Sequence, residues 1–169
     1  MPPYVHKIAV LCELRDDQGR YLLIRRAKDP NRGLCSPIGG KLDTTIGESP
    51  IRCAQREIEE EAGITLPLDR LRLVGIVSEH GYDNTTNWLM FWYRVTGPVV
   101  VPEHTINEGE LIWRSWDDFK SLALPETDEK VIWPLVRAHE NEGSLFSVHI
   151  DCTDCTLKWT VLESRHATP

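Results

Sequence analysis

Gly40-Lys41-Leu42-Asp43-Thr44-Thr45-Ile46-Gly47-Glu48-Ser49-Pro50-Ile51-Arg52-Cys53-Ala54-Gln55-Arg56-Glu57-Ile58-Glu59-Glu60-Glu61-Ala62-Gly63-Ile64 reads as a loop, a helix and a stop. Ser49 stands where an N-cap belongs, and Pro50 takes the first helical position, where its missing N–H has no partner to lose. Gly63 supplies the left-handed stop, so the pattern predicts a helix over 50–62. Ile51, Ala54, Ile58 and Ala62 recur at three- and four-residue steps and form the face that packs on a sheet. Glu57, Glu60 and Glu61 share a second stripe. Each such like-charge pair costs an isolated helix about 0.2–0.5 kcal/mol. A divalent cation turns that repulsion into attraction, and hard carboxylate oxygens suit Mg²⁺ or Mn²⁺. Glu59 points away from the stripe, while Arg56, one turn before Glu60, is placed to neutralise part of the cluster and fix its rotamers.

Outward from this segment the chain reads as one domain over residues 1–169, without repeats or low-complexity tracts. Alternating and β-branched runs predict strands at 7–14 and 21–25, joined as a hairpin through Asp16-Asp17-Gln18-Gly19. Residues 26–33 form a loop, and a short strand-and-turn runs through Pro37-Ile38-Gly39-Gly40. Further strands are expected at 71–78, 87–95 and 111–116, a second helix at 127–139, and a closing hairpin of 145–150 and 156–162. Strands and helices do not alternate regularly, which favours an α+β fold with a mixed central sheet over a doubly wound parallel one.

Composition bounds the function. The 169 residues are 41% hydrophobic and 27% charged, enough to bury a core without disulfides or structural metal. The longest apolar run, Trp88 to Tyr93, is far below the ~20 residues a membrane helix needs. Met1-Pro2-Pro3-Tyr4-Val5-His6-Lys7 has no basic stretch leading into an apolar one, so the expected compartment is the cytoplasm. A net charge of -7 disfavours nucleic-acid duplexes and anionic membranes as partners. Between Asp43 and Glu61 six acids face two bases, which concentrates the negative charge on the quoted segment. The five Cys suggest no disulfide framework. Cys152-Thr153-Asp154-Cys155 is a lone pair without the further ligands zinc requires, and reads as a hairpin turn.

Written as G-x7-E-x7-R-E-I-x-E-E-x-G-I, the segment from Gly40 to Ile64 resembles the Nudix box. Every defining position matches from Glu48 onward. The departure is seven residues between Gly40 and Glu48 where the family usually has five, read as an insertion around Thr44-Thr45. Ile38 also stands where relatives often have Pro. Leu22-Leu23-Ile24-Arg25-Arg26-Ala27-Lys28 and Pro30-Asn31-Arg32-Gly33-Leu34 are similar to Nudix hydrolases too. The resemblance implies an α/β/α sandwich acting on nucleoside diphosphates linked to a further group, with Mg²⁺ or Mn²⁺ as cofactor. Carried over by position, it implies that Glu57, Glu60, Glu61 and the Gly40 carbonyl hold metal, and that Glu48 and Arg56 position the helix and its ligands. The catalytic set is then Glu48, Arg56, Glu60 and Glu61. The general base stays open among Glu60, Glu61, Glu79, Glu108 and Glu110.

Pro125-Glu126-Thr127-Asp128-Glu129-Lys130-Val131-Ile132 resembles the segment in which the MutT-like branch places an Asn or Asp against a purine. That implies a substrate contact for Asp128, although an acid opening the second helix also suits the helix dipole. Arg25, Lys41 and Glu79 are the other expected substrate contacts, with Lys28 and Arg32 as further phosphate candidates. The implied substrate is a nucleoside triphosphate, oxidised purine ones included, hydrolysed to the monophosphate and pyrophosphate, with hydrolysis of dinucleoside polyphosphates or ADP-ribose-like nucleotide sugars, or a non-catalytic regulator, as alternatives. Trp88, Met90 and Trp92 share one strand face, where an aromatic can stack on a base. The sequence leaves the oligomeric state open.

Overall fold

The computed structural model describes residues 4–167. Its strands are β1 (Val5–Glu13), β2 (Tyr21–Arg26), β3 (Cys35–Lys41), β4 (Leu71–Tyr82), β5 (Thr86–Val95), β6 (Thr105–Ile106), β7 (Gly109–Arg114), β8 (Leu145–Asp151) and β9 (Lys158–Arg165). They hydrogen-bond in the order β6-β7-β2-β3-β1-β5-β4-β8-β9. The β1/β5 and β4/β8 pairs are parallel and the others antiparallel, so the sheet is mixed as expected. Helix α1 (Pro50–Glu57) continues as a π-helical turn, Ile58–Ala62, and helix α2 (Trp133–Ala138) is entered through a second π-helical turn, Asp128–Ile132.

The predicted hairpin of 7–14 with 21–25 is corrected. Only its first rungs form, the Leu22 N–H to the Leu14 carbonyl at 3.0 Å and an Arg15/Tyr21 bridge. The strands then diverge, and β3 fills the wedge: Cys35 and Pro37 pair with β2, whereas Ile38 to Lys41 pair with β1. Burial fits this interior placement: Ala9 and Val10 of β1 and Leu22 and Leu23 of β2 are buried on opposite faces, so both strands are covered on both sides of the sheet.

The two faces hold separate cores. Val10, Leu22 and Tyr93 pack with α1 residues Cys53 and Ala54 and with Ile58. Their chain neighbours Ala9, Leu23 and Trp92 pack on the opposite face with Trp133 and Val136 of α2. One helix on each face makes the α/β/α sandwich. On the α2 side Trp133 meets Trp92, Phe119 and Tyr21 edge-on at 4.9, 4.8 and 5.2 Å, contacts worth about 0.5–1.5 kcal/mol each beyond burial. Glu13, fully buried, accepts from Arg15, Arg94 and the Trp92 indole. Arg94 in turn donates to the carbonyls of Val136, His139 and Glu140 and so satisfies the C-terminal end of α2. No described helix is long and apolar enough to cross a membrane. Cys12, Cys35, Cys53, Cys152 and Cys155 are free thiols, the last two in the β8–β9 turn.

Candidate active site

The C-terminal half of β3 and the π-helical end of α1 form one wall of a cavity of about 360 Å³. β3 delivers Gly39 and Gly40 to this wall, and both glycines are required by close approach. A Cβ on Gly40 would lie 2.3 Å from a Glu57 carboxylate oxygen, and one on Gly39 would lie 2.1 Å from the Val10 carbonyl. Glu57 is therefore laid flat against the Gly40 backbone. The Glu61 carboxylate accepts from the Gly39 N–H at 3.2 Å.

Arg56 organises the rest. Its Nε and Nη2 each reach Glu48 at 2.9 Å, its Nη1 reaches Glu57 at 2.6 Å and Glu60 at 3.2 Å, and Nη2 also donates to the Lys41 carbonyl at 3.2 Å. This fork-to-fork geometry is one that only a guanidinium supplies. It holds Glu48 down at about 2, chiefly through the hydrogen bonds, and Glu48 holds the Arg56 guanidinium protonated. The two extra loop residues are absorbed locally. Glu48 Oε2 accepts from the Asp43 N–H at 2.9 Å, and the Glu48 N–H returns to the Asp43 carbonyl at 3.1 Å. The longer loop thus closes on itself between Asp43 and Glu48 and leaves Gly40 against the helix.

Burial pushes Glu61 up to about 8 and also raises Glu57, with neighbouring carboxylates adding to both. Glu60 is the solvent-facing member, its side chain 58% exposed. The three carboxylates line one cavity but do not converge on a point. Among the described residues no three His, Cys, Asp or Glu groups stand in metal-holding geometry, because Arg56 engages Glu57 and Glu60 while Gly39 engages Glu61. The donor set fits a hard divalent cation: carboxylate oxygens only, two of them fixed by backbone glycines, beside a carbonyl-bearing loop. The Gly40 carbonyl faces the Cys53 thiol at 3.8 Å.

The far end of the cavity holds Glu79 of β4 and Asp128 of the π turn before α2, with Trp88 and Met90 as apolar walls. Both acids are buried, at 4% and 8% exposure. Desolvation lifts Glu79 to about 7 and Asp128 to about 8. Trp92, the third residue of that strand face, belongs to the core. Lys41 stands exposed on the cavity lining.

Arg25 lies elsewhere. It pairs with Glu110 across the β2/β7 ladder at 2.7 Å, and Arg26 is the guanidinium that lines the cavity. Lys28, Arg32 and Glu110 are also outside the lining, whereas Glu108 is within it. Arg26 and Asn31 escaped sequence reasoning. The four buried residues before Arg25 hide which side of β2 faces the site, and Asn31 is placed by a left-handed backbone (φ 66°) after Pro30. Its Oδ1 accepts from the Tyr82 hydroxyl at 2.6 Å, tying the 27–34 loop to the end of β4.

The family model for the NUDIX domain matches residues 5–138. Among solved structures, the mutator MutT protein from Bacillus halodurans has a TM-score of 0.71 at 25% identity, covering 92% of this chain and 97% of that one. The MutT protein from Methanosarcina mazei Go1 has a TM-score of 0.68 at 24% identity, covering 82% and 98%. The NUDIX domain of Shewanella oneidensis NrtR, complexed with ADP ribose, has a TM-score of 0.64 at 18% identity, covering 82% and 89%.

Proposed function

The chain belongs to the Nudix family, and from that premise we propose that it hydrolyses nucleoside triphosphates, oxidised purine nucleotides among them, to the monophosphate and pyrophosphate with Mg²⁺ or Mn²⁺. It is a pyrophosphohydrolase by its domain and by its likeness to MutT hydrolases. The observation that carries the narrower reading is that one cavity joins two unlike ends. The Arg56-braced carboxylates occupy one end, and the buried acids Glu79 and Asp128 with Trp88 occupy the other. A phosphate chain suits the first and a base suits the second.

Glu57, Glu60, Glu61 and the Gly40 carbonyl would hold the cation, which when bound neutralises phosphate charge and acidifies water. The protein's own residues do the rest. Gly40 leaves room for the Glu57 carboxylate against its backbone and the Gly39 N–H holds Glu61, so both carboxylates stand at the cavity wall. Arg56 and Glu48 hold the helix turn that presents them. Glu60, the exposed carboxylate, is free to leave Arg56 and turn toward the phosphate. Arg26 and Lys41 offset the negative charge of the triphosphate at the cavity wall. The proton of the attacking water passes to a lining carboxylate, for which Glu60, Glu61 and Glu108 are in place. Glu110 is held by Arg25, and Glu79 sits at the base end. The Asp128 carboxyl, kept neutral by burial, is suited to hydrogen-bond a base edge rather than to repel phosphate.

The test is a substrate panel with product analysis in Mg²⁺: ordinary and 8-oxopurine triphosphates, a dinucleoside polyphosphate and ADP-ribose. Pyrophosphate release from a triphosphate is expected, and Glu60→Gln should lower turnover by orders of magnitude while the fold survives. No pyrophosphate from any triphosphate overturns the reading. Turnover of ADP-ribose alone would move the substrate to nucleotide sugars, and binding without turnover would make the chain a regulator.

A further inference from the structure

The 27–34 loop follows Arg26 and closes one side of the cavity with Pro30 and Asn31, yet it buries little of itself. Its residues are exposed except for Asn31 and Leu34, which are half-buried, so hydrogen bonds rather than apolar packing must hold it. Among the described residues two of them reach other elements: the Ala27 N–H donates to the Glu108 carbonyl at 2.8 Å, and the Tyr82 hydroxyl donates to Asn31 Oδ1 at 2.6 Å. Within the loop the Gly33 N–H returns to the Arg26 carbonyl at 2.8 Å and the Leu34 N–H to the Asn31 carbonyl at 3.0 Å. The Pro30 carbonyl accepts from Arg26 Nε at 2.7 Å, the one hydrogen bond that the Arg26 side chain makes among the described residues. That carbonyl lies in the peptide plane that ends at the Asn31 nitrogen, so whatever holds Asn31 also aims the Pro30 oxygen. Asn31 is held at φ 66°, a left-handed backbone that Asn tolerates better than most residues.

Tyr82 is the rigid end of this contact. It closes β4 and opens the tight turn to β5, in which Asp83 and Asn84 take left-handed backbone (φ 51° and 53°) and the Thr85 N–H donates to the Tyr82 carbonyl at 3.1 Å. A phenol has one proton to donate, and Tyr82 gives it to Asn31. The contacts then run from the sheet to the cavity wall in three steps: the Tyr82 hydroxyl to Asn31, the Asn31 peptide to Pro30, and the Pro30 carbonyl to Arg26 Nε. All four residues line the cavity. With Nε occupied, both Nη groups of Arg26 remain for a phosphate, and a planar guanidinium held at Nε is already oriented for one. Resting on the triphosphate reading above, we propose that Tyr82 is a positioning residue: through Asn31 and the Pro30 carbonyl, its hydroxyl aims Arg26 at the phosphate chain of the substrate.

Tyr82→Phe removes only the hydroxyl, and Asn31→Gly removes the acceptor while keeping the left-handed backbone accessible. The first measurement is hydrogen exchange by NMR on the ligand-free full chain, at the Arg26 Nε–H and at the Gly33 and Leu34 amides. Both variants should speed exchange at these sites about tenfold, the weight of one hydrogen bond, with a melting temperature within a few degrees of wild type. The second is calorimetric binding of inorganic tripolyphosphate in Mg²⁺, a probe with no base, which both variants should weaken about tenfold. Arg26→Gln completes a double-mutant cycle: in that background Tyr82→Phe should cost nothing further, because the group it aims is gone. In assays of pyrophosphate release the Tyr82→Phe loss should fall on KM more than on kcat. A residue that merely stabilised the fold, or that touched the ligand itself, would give additive losses. Unchanged exchange at Arg26 Nε, no tripolyphosphate binding by the wild type, or additive losses in the cycle overturns the proposal. Faster exchange and a non-additive cycle without pyrophosphate release from any triphosphate would count against the hydrolytic reading alone, and pyrophosphate release that Tyr82→Phe leaves unchanged would count against this one alone.

Discussion

Gly40→Ala separates the catalytic geometry from the fold more cleanly than removal of any carboxylate. The new Cβ would start 2.3 Å from Glu57 Oε1, against an ordinary contact of 3.4 Å or more, so about 1 Å of displacement is forced on one partner. Gly40 has no left-handed backbone to protect, and the clashing atoms are the free end of a side chain, so Glu57 is what moves. Displacement by about 1 Å in a positioned group costs on the order of 100-fold in rate. The expected outcome is a melting temperature within a few degrees of wild type, kcat lower by one to two orders of magnitude, and a higher Mg²⁺ concentration for half-maximal activity. Gly39→Ala is the control with the opposite result. Its Cβ would meet the Val10 backbone carbonyl at 2.1 Å inside the β1/β3 ladder, which cannot yield, and the variant should be destabilised or fail to fold. Calorimetry, steady-state pyrophosphate release and a Mg²⁺ titration read all of this. Full activity and an unchanged Mg²⁺ requirement in folded Gly40→Ala would refute the placement of Glu57 as a metal-side carboxylate.

Two further outcomes concern stability. Glu13→Gln removes the charge that Arg15 and Arg94 share at 2.6 and 3.0 Å in a fully buried position; breaking such a pair costs about 3–5 kcal/mol. For a chain of this length that is a fall of roughly 6–20 °C in melting temperature, and a fall below 2 °C by calorimetry would contradict the network. Glu48, held at about 2 against 4.5 when unfolded, contributes stability that is fully present above pH 4.5 and is lost as the pH falls through 2. Glu48→Gln should therefore be less heat-stable than wild type at pH 6, with the gap closing toward pH 2.5; parallel melting curves across that range would show that Arg56 does not hold this carboxylate.

What the sequence made legible is whatever local chemistry decides. The Ser49-Pro50 start, the Gly63 stop and the spacing of Arg56, Glu57, Glu60 and Glu61 are each set within one helix, and the structure places the three glutamates along one cavity wall. Strand existence was legible for the same reason, since period and turn residues are short-range. Pairing was not. Residues 12–14 and 21–24 are buried in unbroken runs, so no alternation marks a solvent edge, and the wedge that admits β3 depends on Gly39 fitting against Val10, a contact between segments far apart in sequence. The same loss of parity made Arg25 and Arg26 indistinguishable until β7 supplied Glu110 as the partner of one of them. Glu79 shows the limit most sharply. In sequence it is an acid just past the strand expected at 71–78, read both as a candidate base and as a substrate contact. Its burial comes from the register that sets it between Trp88 and Ile150, and the π turn carries Asp128 to the same cavity. A buried carboxyl is costly to ionise without a partner, and that cost is set by contacts between segments distant in sequence, which no local pattern in the chain displays.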